Sequence, residues 1–187
     1  MTDTLRLLLL YPHLLACCVA IGATVLADLK IMGRRTGVGD RALLQLASRV
    51  VLVALALLWL TGLAIIVLDF GHWPGVGELV ARPKLLSKLV VVMVLTLNGA
   101  ALHHYALPRL LPATPEHAML KRHQRLALAC IGGTSAASWG FAAFLGIARP
   151  LAGKLSTGGF LSLYLVALGL ALGVGLLSAQ RVRALPG

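Results

Sequence analysis

LLQLASRVVLVALALLWLTGLAIIVLD, residues 43–69, holds one charged side chain, Arg49, before it closes on Asp69. The hydrocarbon core of a bilayer is ~30 Å thick, and a helix needs ~20 residues to cross it. This stretch is longer than that. Its apolar residues run on without alternation, unlike those of a transmembrane strand. Lipid offers a backbone no hydrogen-bond partner, so such a span must satisfy its own N–H and C=O groups as a helix. Residues 43–69 therefore read as a transmembrane helix.

Four further runs read the same way: residues 5–28, 84–107, 126–148 and 159–179. Together they predict an all-α integral membrane bundle of five transmembrane helices. It forms a single transmembrane domain over residues 1–187, with four core helices and one peripheral. The chain is 59% hydrophobic and 12% charged, with a mean hydropathy of +0.91. A soluble domain of this size has too little interior to hide so much apolar surface. The first run is too long for the core of a signal peptide, and basic residues cluster after it.

A net charge of +11 would suggest nucleic acid in a soluble protein. Here the position of the charge decides. Lys30, Arg34, Arg35, Arg41, Arg109, Lys121, Arg122, Arg125, Arg181 and Arg183 fall on one side of the spans. Arg6, Arg82, Lys84, Lys88, Arg149 and Lys154 fall on the other, with Asp69 and Glu78. The positive-inside rule places the richer side in the cytoplasm, the N-terminus outside and the C-terminus inside. The expected partner of this charge is the lipid bilayer, not nucleic acid.

Punctuation marks the span ends. Tyr11-Pro12 reads as a belt aromatic with a proline in the first turns. Phe70 to Gly75 is turn chemistry with interfacial aromatics. Pro83 suits the first position of span three, which is expected to end before Pro108. Thr114-Pro115-Glu116 suits the start of a short interfacial helix. Cys17, Cys18 and Cys130 lie within spans, form no spaced pair and read as small hydrophobes.

Small residues mark close packing, because helix association in lipid rests on backbone approach. Gly133, Ala137 and Gly140 of span four are expected to face other helices and make that span central. Span five carries Gly169, Gly173 and Gly175, and the first two form a GxxxG pair. This glycine face reads first as an internal seam and second as a contact in a homodimer or larger membrane complex.

Ionisable residues within a span cost free energy and mark functional candidates. An outer layer holds His13, Lys84, Lys88, Asp69 and His72, with Ser138 and Trp139 at similar depth. An inner layer holds Asp28, Arg49, His103, His104 and Asn98. Imidazole ligates haem and metals and relays protons, so His13 is the most informative residue. It reads equally well as a buried histidine bonded to a neighbouring helix. Lys84 and Lys88 have the length to snorkel to headgroups. Arg49 is expected to pair with Asp28 or reach headgroups. Asn98 reads as interhelical glue or as a group that orients a ligand. Trp59 and Trp139 sit deep in their spans, where rings pack or flank a flat cofactor. No Walker loop, zincin pair, nucleophile elbow or CxxC is present, and no catalytic residue can be named.

Short motifs punctuate the first three spans. Pro12-His13-Leu14 stands ahead of Ala20-Ile21-Gly22. Ser48-Arg49-Val50 and Leu60-Thr61-Gly62-Leu63 bracket span two. Arg82-Pro83-Lys84-Leu85-Leu86-Ser87-Lys88-Leu89 opens a span that runs through Asn98 to Pro108. In these the first half of the chain resembles the copper-resistance D family and the bacterial membrane-bound protoporphyrinogen oxidase family. The oxidase-like resemblance implies a b-type haem with axial ligands at His13 and Lys88. The copper-family resemblance implies metal handling instead, with His13 as a metal ligand. The chain departs from both in lacking a Trp-Gly after His13 and a Met- or His-rich outer loop.

The resulting expectation is a small multi-pass protein of the bacterial cytoplasmic membrane. It would bind haem b between helices, with His13, Lys88, Lys84, Arg49, Asn98 and Trp139 as the cofactor-binding set and a redox role, including that of an oxidoreductase. A metal-tolerance or transport protein without haem, and an accessory membrane subunit, are the alternatives.

Overall fold

The computed structural model describes residues 2–32, 38–110 and 121–181. The Arg34-Arg35 loop, the helix start expected at Thr114-Pro115-Glu116, and Arg183 lie outside the described residues. Every regular element among them is helical. In order these are α1 (Thr2–Met32), α2 (Val38–Phe70), α3 (Val76–Val80) and α4 (Pro83–Ala101). A π-helical turn (Leu102–Ala106) joins α4 to α5 (Leu107–Leu110). Then follow α6 (Arg122–Ile147), a 3-10 turn (Arg149–Leu151) and α7 (Thr157–Arg181).

Five stretches are long and apolar enough to cross a membrane: Asp3–Ile31, Ala42–Phe70, Pro83–Leu110, Arg122–Ile147 and Thr157–Ala179. At 1.5 Å per residue they are about 35 to 44 Å long, more than the ~30 Å core. Their order matches the five runs read from the sequence, and most of their ends lie further out. Two prolines consequently sit differently from expectation. α1 begins at Thr2, so Pro12 lies inside the helix, not in its first turns. Span three also continues past Pro108 to Leu110. The π-turn explains this second case: the Leu107 N–H bonds back five residues to the Leu102 carbonyl. The wider ring relaxes the clash with the carbonyl four residues back that normally ends a helix at proline.

The chain forms two compact units, Met1–Leu86 and Ser87–Gly187. In the first, α1 and α2 pack as an antiparallel pair. Buried residues of α2 recur at spacings of three, seven, four and eight: Leu44, Ala47, Ala54, Leu58 and Ile66. That 3-4 rhythm is the spacing of a shallow, coiled-coil-like seam. Ala16 and Ala20 line the α1 side, Ala20 with no exposure at all. At the end of α2, Gly71 takes φ +75°, a left-handed turn that glycine enters without steric cost. The Gly75 N–H donates to Glu78 Oε2 at 2.8 Å and opens α3. The Arg82 guanidinium stacks 3.8 Å from the Phe70 ring centroid.

In the second unit α6 packs on α7. Val91 of α4 joins Phe141, Leu145, Phe160 and Tyr164 in a buried cluster. The α6–α7 contact follows one four-residue ridge: Ala129, Gly133, Ala137, Phe141, Leu145. A Cβ on Gly133 would stand 3.1 Å from the Ala171 carbonyl oxygen, and one on Gly175 would stand 3.1 Å from that of Ala129. Ala137 and Leu145 are buried on the same ridge. This is small-xxx-small packing, in which two backbones touch.

The ridge corrects two sequence expectations. Gly133 and Ala137 face other helices as expected, but Gly140 does not: it is exposed and a Cβ there would meet nothing within 4 Å. A contact that advances by four residues passes through Phe141 and leaves Gly140 to one side. Nor do Gly169 and Gly173 make the α7 seam, since neither has a neighbour within 4 Å of an added Cβ. Gly175 does so instead.

Across this seam Ser138 and Tyr164 share a hydrogen bond of 2.7 Å, with Ser138 fully buried. A lone hydroxyl left there would be desolvated without a partner, at about 1–3 kcal/mol. Ser138→Ala and Tyr164→Phe are each expected to destabilise the protein in detergent, and the double variant to cost less than their sum. Thermal unfolding of the four proteins measures the coupling; strict additivity would show that the bond contributes nothing.

Candidate functional site

The chemistry-bearing residues of the first unit lie along the α1–α2 seam. Arg6 Nε contacts Asp69 Oδ1 at 3.0 Å, and Nη2 donates to Oδ2 at 3.3 Å. Both side chains are partly open to solvent, so the pair is worth at most about 1 kcal/mol. Its value here is register, because seven residues further along α1 comes His13, whose Nδ1 lies 2.8 Å from Thr61 Oγ1 on α2.

The hydrogen bonds around Thr61 favour one tautomer of His13. The Thr61 hydroxyl donates its single proton to the Leu57 carbonyl at 2.6 Å. With the proton placed there, the oxygen is an acceptor towards the imidazole, an arrangement that suits a protonated His13 Nδ1. In that tautomer the ring lone pair is on Nε2. The next residue, Gly62, leaves space for the ring: a Cβ there would stand 3.4 Å from His13 Cε1. Thr61 therefore orients the imidazole, while Gly62 lets it lie close to the α2 backbone. The sequence placed His13 and Thr61-Gly62 in separate motifs; the antiparallel register joins them.

Arg49 lies twelve residues from Thr61 on α2, roughly 18 Å along the axis. It is exposed and lines an apolar groove between α1 and α2. Among the described residues no ion pair joins it to Asp28, contrary to the pairing considered from sequence. Asp28 itself is half-buried. Lys84 is half-buried at the start of α4, and Lys88 is half-buried one turn further on the same face.

In the second unit Asn98 donates from Nδ2 to the Ile131 carbonyl of α6 at 3.1 Å. This is the interhelical bond expected of an amide in mid-span. Trp139 is buried at 3% exposure. Ser138 meets Tyr164, a residue the sequence reading passed over. A tyrosine inside an aliphatic span was the available signal, because a buried phenol needs a hydroxyl partner. His103 and His104 are both exposed, with rings edge to face at 5.3 Å. Arg109 folds back in the same turn: its Nη1 donates to the Tyr105 carbonyl at 2.8 Å and its guanidinium stacks on the Tyr105 ring.

The three cysteines are free thiols. Among the described residues no three His, Cys, Asp or Glu side chains converge as a metal site. A search of protein-family models, of curated proteins and of solved structures finds no match to the chain.

Proposed function

We propose that the chain is a small multi-pass protein of the bacterial cytoplasmic membrane that binds a b-type haem through His13 and serves a redox role. The observation that carries this reading is the His13–Thr61 hydrogen bond. Ligating histidines characteristically donate one ring N–H to an acceptor, which sets the tautomer, aims the other nitrogen and raises its basicity. The Thr61 contact suits that state, in which the lone pair is on Nε2. Bound haem would supply a one-electron couple. The chain's own part is to orient the imidazole, to keep Nδ1 protonated and to surround the site with apolar helix.

A porphyrin brings four nitrogen donors and asks only for axial ligands. A bare zinc ion asks for three or four side chains, and among the described residues no three His, Cys, Asp or Glu gather as such a set. The haem reading therefore asks less of this chain than the metal-tolerance reading. The visible spectrum of the protein, purified after expression with haem available, tests it. A Soret band is expected, with a shift on reduction by dithionite. A colourless wild-type protein would overturn the proposal.

Orientation belongs to the same reading. The basic bias between the two faces supports an outside N-terminus and a cytoplasmic Arg34-Arg35 loop. In intact cells a membrane-impermeant maleimide should then label Gly75→Cys and leave Gly37→Cys unlabelled until the cells are opened. Labelling of Gly37→Cys from outside would reverse the topology.

A further inference from the structure

The first unit carries a feature that neither the fold nor the haem reading uses. Between α1 and α2 runs a groove of about 390 Å³ with almost wholly apolar walls. Its floor is set low by two small residues in the seam, Ala16 and Ala54, both buried. Val19 on one wall and Val53 on the other are 45% and 62% exposed, so the groove opens sideways along its length. Pro12 bounds it at one end and Arg49 at the other. Among the described residues no carboxylate pairs with Arg49.

These features specify the occupant. A groove open along its side, on a helix pair long and apolar enough to span a bilayer, is filled from within the bilayer. Its walls suit a hydrocarbon chain. Its one charged group is a guanidinium, a planar donor fork that matches phosphate oxygens. Arg49 lies seven residues, or about 10 Å, inside the Ala42 end of the span. An arginine bridges such a depth by laying its stem on apolar surface and raising its head to the headgroup level. We propose that the α1–α2 groove binds an anionic glycerophospholipid, with one acyl chain along the groove and the phosphate on Arg49. The site rests on the membrane reading and is independent of haem at His13.

Native mass spectrometry of the full-length, delipidated protein tests this with two lipids of identical chains, phosphatidylglycerol and phosphatidylcholine. The wild-type protein should retain phosphatidylglycerol in preference, by about fivefold, the effect of one basic residue at a lipid headgroup. Arg49→Gln should remove the preference while keeping chain binding. Val53→Trp, which fills the groove from an exposed position, should lower retention of both lipids. Phosphatidylglycerol should also raise the melting temperature of the wild-type protein more than phosphatidylcholine does, a measurement that needs no variant. Equal retention and equal protection by the two lipids would overturn the proposal. So would an undiminished preference in Arg49→Gln, or unchanged binding in Val53→Trp.

Discussion

Gly133→Leu is expected to open the α6–α7 pair, while Gly140→Leu leaves it intact. The two glycines are seven residues apart on one helix and look equivalent in sequence. In the structure a Cβ on residue 133 would stand 3.1 Å from the Ala171 carbonyl oxygen and 3.3 Å from Leu172 Cα. These are backbone atoms of a packed helix, which cannot rotate aside as a side chain does. Accommodating leucine means parting the helices, with loss of the contacts through Ala137, Phe141 and Leu145. Overpacking of this kind costs about 1–3 kcal/mol and at times more, against a total stability of only about 5–15 kcal/mol for most proteins. At residue 140 an added Cβ meets no atom within 4 Å and the position is exposed, so the expected change is about 0.5 kcal/mol or less. Thermal unfolding of both variants in one detergent decides the matter. Equal stability would mean that α7 does not lie on the Gly133 ridge.

His13→Ala is expected to abolish haem binding, and Thr61→Val to weaken it without abolishing it. Alanine at position 13 removes the proposed ligand. Valine at position 61 keeps the volume and removes the acceptor for Nδ1–H, so the ring loses its orientation and part of its basicity. Loss of such a supporting bond typically lowers affinity by about 10- to 100-fold. A less basic imidazole stabilises the oxidised iron less, so the midpoint potential of Thr61→Val should rise. A purely structural role for Thr61 would lower stability and leave the potential where it was. Haem titration, redox titration and circular dichroism together separate the cases. Full haem retention by a folded His13→Ala protein would exclude His13 as the ligand.

Much of the fold was legible because hydrocarbon imposes a rule that composition alone expresses. A long apolar run must be helical in lipid, and its length and number can be counted. Residues 43–69 and their four companions follow that rule, and all five appear as helices. The ends were less legible. Helices here run beyond their apolar stretches, so Pro12 lies inside α1 and not near its start. Pro108 reads as a stop, because proline ordinarily clashes with the carbonyl one turn back. A π-turn removes that clash, and nothing in Leu102–Ala106 announces it by composition.

The site divides in the same way. His13 was visible as an ionisable residue in an apolar span, and Asn98 as an amide in mid-membrane. Each is an anomaly of type, and a sequence displays type directly. Their partners were not visible, because a hydrogen bond depends on the register between helices. Thr61 became the acceptor for His13 only when α1 and α2 packed antiparallel with Arg6 beside Asp69. Tyr164 became the partner of Ser138 in the same way. Small residues show the contrast most plainly. Glycine and alanine are concentrated in spans four and five, so close backbone contacts are already implied by the residue types. Which of them touch depends on how the helices pack. The contact ridge advances by four residues between α6 and α7, and the buried residues of α2 advance by threes and fours. The choice between those rhythms is made by how two surfaces interlock, a property of the pair that neither helix carries alone.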